Sequence, residues 1–409
     1  MRQVRWASWM VGLAMALAVC GVRPAAADIR SDQAAAILEW PSVIYFAEES
    51  TFNLAPGLSE TGILINTVIQ LSNTSTDPVF VHCFYENANS HCTNTGEVCT
   101  AAQECCSMLG CGVCLPGWNE TDFHVQITPH QPLGWLASDG MAGFDPIPPN
   151  YFGTFPIDGV TNFGSDGTSS NAGSRIPPVP EEPFNGSLRC IAVDADGIPV
   201  DSNVLKGESQ LTLFASSDFT EDDDVISVAK HNAIGVQAIE GAVNDDNVLV
   251  LGGDGAEYNG CPNFLILNHF FDGAEEPVPN TDGTIVTLLT LVPCTENYLR
   301  QIPGAAVVQY LVYNEFEQRF STSRPMQCKQ DLLISNIDTT QNQRSIFSAG
   351  VAGTLTGQSR INPIGSGLFA VGTEIHINND TSENPFVGIA DFNVHYQGDR
   401  TDSDFIVLP

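Results

Sequence analysis

Apolar and polar positions along this chain alternate with the period of a β-strand rather than that of a helix. Val68-Ile69-Gln70-Leu71-Ser72 runs into the turn formers Asn73-Thr74-Ser75-Thr76-Asp77, and Val79-Phe80-Val81-His82-Cys83-Phe84-Tyr85 follows Pro78, which reads as strand, turn, strand. In the second strand Val79, Val81, Cys83 and Tyr85 share one face and Phe80, His82 and Phe84 the other. Both faces are largely apolar, as in a sandwich interior. Further strands are expected at 123–127, 187–193, 209–214, 247–251, 264–267, 284–292, 307–313, 374–377 and 392–396, mostly bounded by Gly, Pro, Asn or Asp. The helical signal is Thr295 to Ile302, an N-cap Thr and about two turns ahead of Pro303-Gly304. With no repeated strand–helix alternation, the pattern predicts an all-β fold, an antiparallel β-sandwich.

A length of 409 residues predicts two packed sandwich domains. Residues 28–224 form the first and 225–409 the second, divided at the acidic turn Thr220-Glu221-Asp222-Asp223-Asp224; an ordinary charged hairpin loop is the competing reading of that turn. Residues 137–186 hold eight Pro and eight Gly, which marks a long surface excursion between strands.

The N-terminal stretch sets the expected compartment. Arg2 and Arg5, an apolar run from Trp9 to Val19, and Pro24-Ala25-Ala26-Ala27 before Asp28 have the form of a signal peptide over residues 1–27. That run is too short to span a bilayer and no later one reaches the needed length, so no membrane span is expected. The mature chain is expected to be secreted, periplasmic or at the cell surface. With 48 acidic against 15 basic side chains, the net charge of -33 excludes electrostatically driven nucleic-acid binding.

Six of the 12 cysteines, Cys92, Cys99, Cys105, Cys106, Cys111 and Cys114, fall within 23 residues, spaced C-x6-C-x5-C-C-x4-C-x2-C. In an exported chain this density reads as a disulfide staple, since so short a segment buries no core of its own. Six cysteines allow 15 connectivities, and spacing does not choose among them. Zinc is the rival reading, on Cys111-x2-Cys114 with His82 and His91 nearby, but an oxidising compartment disfavours free thiolates. With Cys20 in the expected signal peptide, Cys83, Cys190, Cys261, Cys294 and Cys328 remain, an odd number. Cys83 and Cys190, both mid-strand in apolar surroundings, suit a bridge between sheets. Cys294 with Cys328 is the second expected pair.

The 92–114 pattern resembles the cystine-knot miniproteins, or knottins, whose adjacent third and fourth cysteines match Cys105-Cys106; the resemblance implies pairs 92/106, 99/111 and 105/114. Across most of the chain, several stretches together resemble a group of exported bacterial β-rich proteins without assigned activity. They include Val81-His82-Cys83-Phe84-Tyr85, Trp118-Asn119-Glu120-Thr121-Asp122-Phe123, Leu188-Arg189-Cys190-Ile191-Ala192-Val193 and Glu257-Tyr258-Asn259-Gly260-Cys261-Pro262. That resemblance implies an Ig-like sandwich and export, and supplies no catalytic residues.

Motifs for chemistry are sparse. There is no G-x-S-x-G elbow, H-E-x-x-H, P-loop or Rossmann fingerprint, and the eight histidines form no i,i+4 pair. Asp194-Ala195-Asp196-Gly197 with Asp201 has the alternating carboxylates of a calcium loop, yet reads better as a hairpin turn. Glu374 with His376, and Asp391, Asn393 and His395, share strand faces that read as solvated polar surface. No cofactor and no catalytic or metal residues are therefore expected. The leading expectation is a non-enzymatic structural or interaction protein displaying the stapled loop to a protein or surface polymer. One alternative is a filament or surface-layer subunit, suggested by the odd cysteine and by Ala34-Ala35-Ala36-Ile37-Leu38 as a packing surface. A hydrolase acting on a surface polymer is the other.

Overall fold

A computed structural model describes residues 33–46, 52–55, 58–60, 63–99, 104–107, 110–140, 176–216, 223–242, 246–278, 282–338, 344–379, 386–397 and 400–409. The expected signal peptide and most of the Pro/Gly-rich excursion lie outside these residues. What is described is almost all strand, with only a 3-10 turn at Ile334–Asn336 and a one-turn helix at Ala349–Ala352. Most expected strands fall within observed ones; those at 247–251 and 264–267 begin one residue later, at Val248 and Leu265, and 392–396 is divided between Phe386–Asn393 and His395–Tyr396.

The first sheet has nine strands and curls on itself. Its central path runs Asn119–Ile127, Val79–Asn87, Phe184–Val193, Ile37–Phe46, Ile63–Asn73, Leu205–Ser216 and Asp223–Asn232, all antiparallel. Ile37–Phe46 meets Ile63–Asn73 only through Tyr45↔Asn66 and Phe46↔Ile65, so the sheet turns a corner there and its two flanks face each other. Between them lies a core of Leu38, Trp40, Ile69, Leu71, Val81, Tyr85, Trp135 and Leu188. The Trp135 indole N–H donates to the Tyr85 hydroxyl at 2.6 Å, satisfying both polar ends in an apolar interior. Asp223–Asn232 pairs back onto Leu205–Ser216, and Ile234–Val236 pairs with Ile37–Phe46. The first sheet therefore runs past residue 224, where the sequence reading set its boundary, and the acidic stretch joins two strands of one sheet.

The C-terminal half stacks two five-stranded sheets. One runs Arg319–Gln327, Ala305–Asn314, Thr356–Ile364, Leu265–Phe270 and His395–Tyr396; the other is built on Gly283–Pro293, Leu368–Asn378 and Phe386–Asn393, with Ala274–Glu275 and Gln330–Leu333 beside Gly283–Pro293. Leu267, Leu289, Leu291, Val308, Tyr310 and Phe347 fill the space between.

The doubly apolar Val79–Asn87 strand owes its second face to the junction of the halves. Phe84, Ile37, Ile191 and Val236 pack with Leu249, Tyr258, Tyr298, Phe369 and Ile406 in one shared core. Phe84 stacks on Tyr298 with ring centroids 4.0 Å apart, a burial worth about 1.5–3 kcal/mol per such side chain. Tyr298 belongs to the segment expected to be helical. Instead Glu296–Asn297 is a short strand parallel to Asp404–Val407, followed by a turn. Local propensity loses here because alternation sends Glu296 and Tyr298 inward, where both are buried.

Those two residues reach a buried polar network around Arg189. Its Nε donates to Glu39 Oε2 at 2.6 Å, while its terminal nitrogens donate to the carbonyls of Pro293 (2.9 Å) and Cys294 (3.0 Å) across the junction. The Tyr298 hydroxyl donates to Glu86, which also accepts from Ser187 Oγ at 2.7 Å. Burial raises the Glu39 carboxyl to about 8 although Arg189 pulls it down, and burial also drives Glu296 well above the carboxylate range. Burial therefore disfavours the charged form of both carboxyls, while Arg189 opposes it.

Candidate functional site

The cysteine-rich segment is an outgrowth of the first sheet. The ladder between Val79–Asn87 and Asn119–Ile127 ends at Asn87↔Asn119 and resumes between Ser90–Cys92 and Cys114–Pro116, with Cys92 opposite Cys114. A hairpin whose arms pair at the base needs its two ends adjacent, and they are. Cys92 bonds to Cys105, Cys99 to Cys114 and Cys106 to Cys111. These replace the knottin pairs 92/106, 99/111 and 105/114. The small ladder Cys106–Ser107 with Gly110–Cys111 sets Cys106 opposite Cys111, so a turn closes that pair locally and leaves Cys105 to reach Cys92. With those thiols bonded, the zinc reading has no thiolates to use.

Two features fix the base. His91 Nε2 lies 3.0 Å from Glu181 Oε2, and Glu181 Oε1 accepts from the amides of Asn87 and Asn89, each at 2.6 Å. Burial raises the Glu181 carboxyl, but hydrogen bonds from Asn87, His91 and Asn89 outweigh it and hold the group below its usual range. Glu181 closes the Pro/Gly-rich excursion, so that segment clamps the hairpin it was expected merely to accompany. Within the outgrowth, Asn94 Nδ2 donates to the carbonyls of Cys105 (2.9 Å) and Gly110 (3.2 Å).

The outgrowth turns Cys92, Cys99 and Cys105 inward and leaves apolar groups outside. Val113 is 54% and Leu115 51% exposed, flanking Cys114 on either side. A flexible loop hides such groups by collapse; a disulfide-braced hairpin cannot. The sequence reading did not single them out, although their i,i+2 spacing around Cys114 carries the signal.

The other cysteines divide differently from expectation. Cys83 bonds to Cys190, but the two face each other on neighbouring strands of one sheet, so the bridge lies within the sheet rather than between sheets. Cys294 bonds to Cys261, not to Cys328. Among the described residues Cys328 is left as a buried free thiol. Ala35, Ala36, Ile37 and Leu38 are wholly buried within the chain's own sheet. Both sequence features that pointed to self-assembly are thus absorbed inside one molecule.

The polar sets also separate. Glu374 and His376 do not assemble with Asp391: Asp391 pairs across from Thr373, which places it on the opposite face of Leu368–Asn378 from Glu374. His376 instead sits between Glu276 Oε2 (2.5 Å) and Glu374 Oε1 (2.9 Å). Asp391 faces His231 at 3.3 Å, and Ser209 Oγ lies 3.1–3.2 Å from both nitrogens of that ring. These are the residue types of a nucleophile triad, but the hydroxyl is not aimed at one nitrogen and all three side chains are buried. They hold Asp223–Asn232 against Phe386–Asn393. Asp194 Oδ1 accepts from the N–H groups of Asp196 and Ile198, the hydrogen bonding of a turn.

An open cleft of about 550 Å³ is lined by residues including His269, Tyr313, Glu315, Gln358 and Glu374. Hydrogen bonds from the Thr356 hydroxyl and N–H hold the Glu315 carboxyl below its usual range, the opposite of what a general acid needs. Among the described residues no helix is long and apolar enough to cross a membrane. No protein-family model matches this chain, and no curated protein matches its sequence.

Proposed function

We propose that this is an exported, non-enzymatic interaction protein: an Ig-like double sandwich that presents the 92–114 hairpin to a protein partner. The observation that carries the reading is the exposure of Val113 and Leu115 on an outgrowth cross-linked three times and clamped at its base by Glu181. Apolar groups held on a rigid support lose little entropy on binding, which is what contact surfaces exploit. Export fits the five disulfides among the described residues, since such bonds persist in oxidising compartments.

The test uses two variants. In one, residues 93–113 are deleted, Cys92 and Cys114 become Ser and a short Gly/Ser bridge joins them; in the other, Val113 and Leu115 both become Asp. Each is expected to fold, because the hairpin ends are already adjacent and closing a shorter loop changes the entropy little. Each is expected to lose binding of the labelled protein to the surface of the producing cells. Retained binding by both variants overturns the reading, as does a deletion variant that aggregates.

A further inference from the structure

A second constellation lies on the other face of the Val79–Asn87 strand, at the edge of the first sheet. In the ladder between that strand and Asn119–Ile127, His82 stands directly opposite His124. Asp122, two residues before His124, points to the same face. His82 Nε2 lies 3.0 Å from Asp122 Oδ2, and the two imidazoles stack with centroids 3.9 Å apart and planes 23° from parallel. One nitrogen of each ring and one Asp122 oxygen all lie within 4.8 Å of one another. Three donors so close need only small side-chain rotations to meet one ion at about 2.0–2.2 Å.

We propose that His82, His124 and Asp122 form a binding site for a transition-metal dication of the zinc or copper type. Two imidazoles and one carboxylate are donors that suit such ions and serve calcium or magnesium poorly. The three ligands differ in role. His82 is nearly buried, with Phe84 4.2 Å from its ring on one side and His124 on another, so its orientation is set in advance. His124 and Asp122 are exposed and close on the ion from the solvent side. One face of the sheet supplies all three ligands, so the remaining position faces water or a partner's donor. Glu120, on the same face two residues before Asp122, accepts from Gln301 Nε2 through Oε1 at 2.6 Å and has its Oε2 buried without a hydrogen-bond partner.

Calorimetric titration of the full, oxidised, metal-stripped chain with zinc chloride tests this. One ion per chain is expected, with copper(II) bound more tightly than zinc and calcium giving no heat at this site. His124→Ala and Asp122→Asn, both at exposed positions, should fold as wild type by circular dichroism and weaken zinc binding roughly tenfold or more. In the electron paramagnetic resonance spectrum of the copper complex, two-imidazole nitrogen coupling should become one-imidazole coupling in H124A. Absence of zinc binding overturns the proposal. So does a zinc affinity unchanged in both variants, or a copper spectrum that H124A leaves intact.

Discussion

His269 is buried with its Nε2 2.8 Å from the Ser359 hydroxyl, and burial pushes its imidazole down to about 4. An unfolded chain protonates this ring near 6.5, so between these values the unfolded state binds the extra proton and folding weakens as pH falls. The stability difference between wild type and His269→Gln should therefore shrink by about 3 kcal/mol from pH 7 to pH 4, measured by urea denaturation. A difference that does not move with pH would show that the ring is solvated. Glu39 has the opposite sign. Its carboxyl is raised from 4.5 to about 8, so the folded state holds a proton across that window and loses stability as pH rises through it. Glu39→Gln keeps an acceptor for Arg189 and removes the titration, so the advantage of wild type over the variant should decline between pH 5 and 8.5. Arg189→Met leaves buried carboxyl groups without their cation and should cost about 3–5 kcal/mol in thermal or urea unfolding. A cost under 1 kcal/mol would mean that protonated carboxyls and water satisfy the site alone.

At the scale of elements, the strands were legible and their partners were not. Period-two alternation is a property of consecutive residues, so stretches such as 284–292 and 307–313 announce themselves. Ile37–Phe46 escaped: buried along most of its length, with Glu39, Pro41 and Ser42 interrupting its apolar residues, it shows no period-two alternation, and Ala34 to Leu38 was read as a packing surface for a neighbour. The cysteine cluster shows the same division. Its density and oxidised state follow from composition, but its connectivity depends on ladder register, which put Cys106 opposite Cys111. Position also predicts how the bridges respond to reductant. Cys83 and Cys190 are wholly buried, while Cys111 is exposed and Cys114 half-buried. A mild thiol reductant should make 92–114 protease-sensitive, with cuts mapped by mass spectrometry, and leave the Cys83–Cys190 bridge and the rest of the chain intact. Loss of all β-sheet circular dichroism at the same reductant concentration would show that the hairpin is integral to the core.

Across the whole molecule, the two halves share what separate domains keep apart. One hydrophobic cluster draws side chains from both, and Arg189, Tyr298 and His231 each bond across the junction. Lys329 adds a further link, its ammonium donating to the Gly186 carbonyl at 2.9 Å. Calorimetry should accordingly show one cooperative unfolding transition, and a fragment ending at Val236 should aggregate because Phe84, Ile37 and Ile191 lose their cover. Two well-separated transitions, or a soluble folded fragment, would establish independent domains.

By itself the sequence determined an acidic, all-β chain with a cysteine-rich outgrowth, because composition and alternation are local and survive without any knowledge of partners. Tertiary structure decided everything that depends on which distant residues meet. It carried the first sheet past residue 224, gave Cys294 to Cys261, drew Glu296 and Tyr298 out of a helix into the junction, and set His124 opposite His82. The candidate hairpin was visible as a cluster of cysteines. Its exposed Val113 and Leu115 and its Glu181 clamp were not, since exposure and a contact across roughly ninety residues are properties of the folded surface. Strand period is written in neighbouring side chains, whereas register is chosen by the summed burial of a whole sheet.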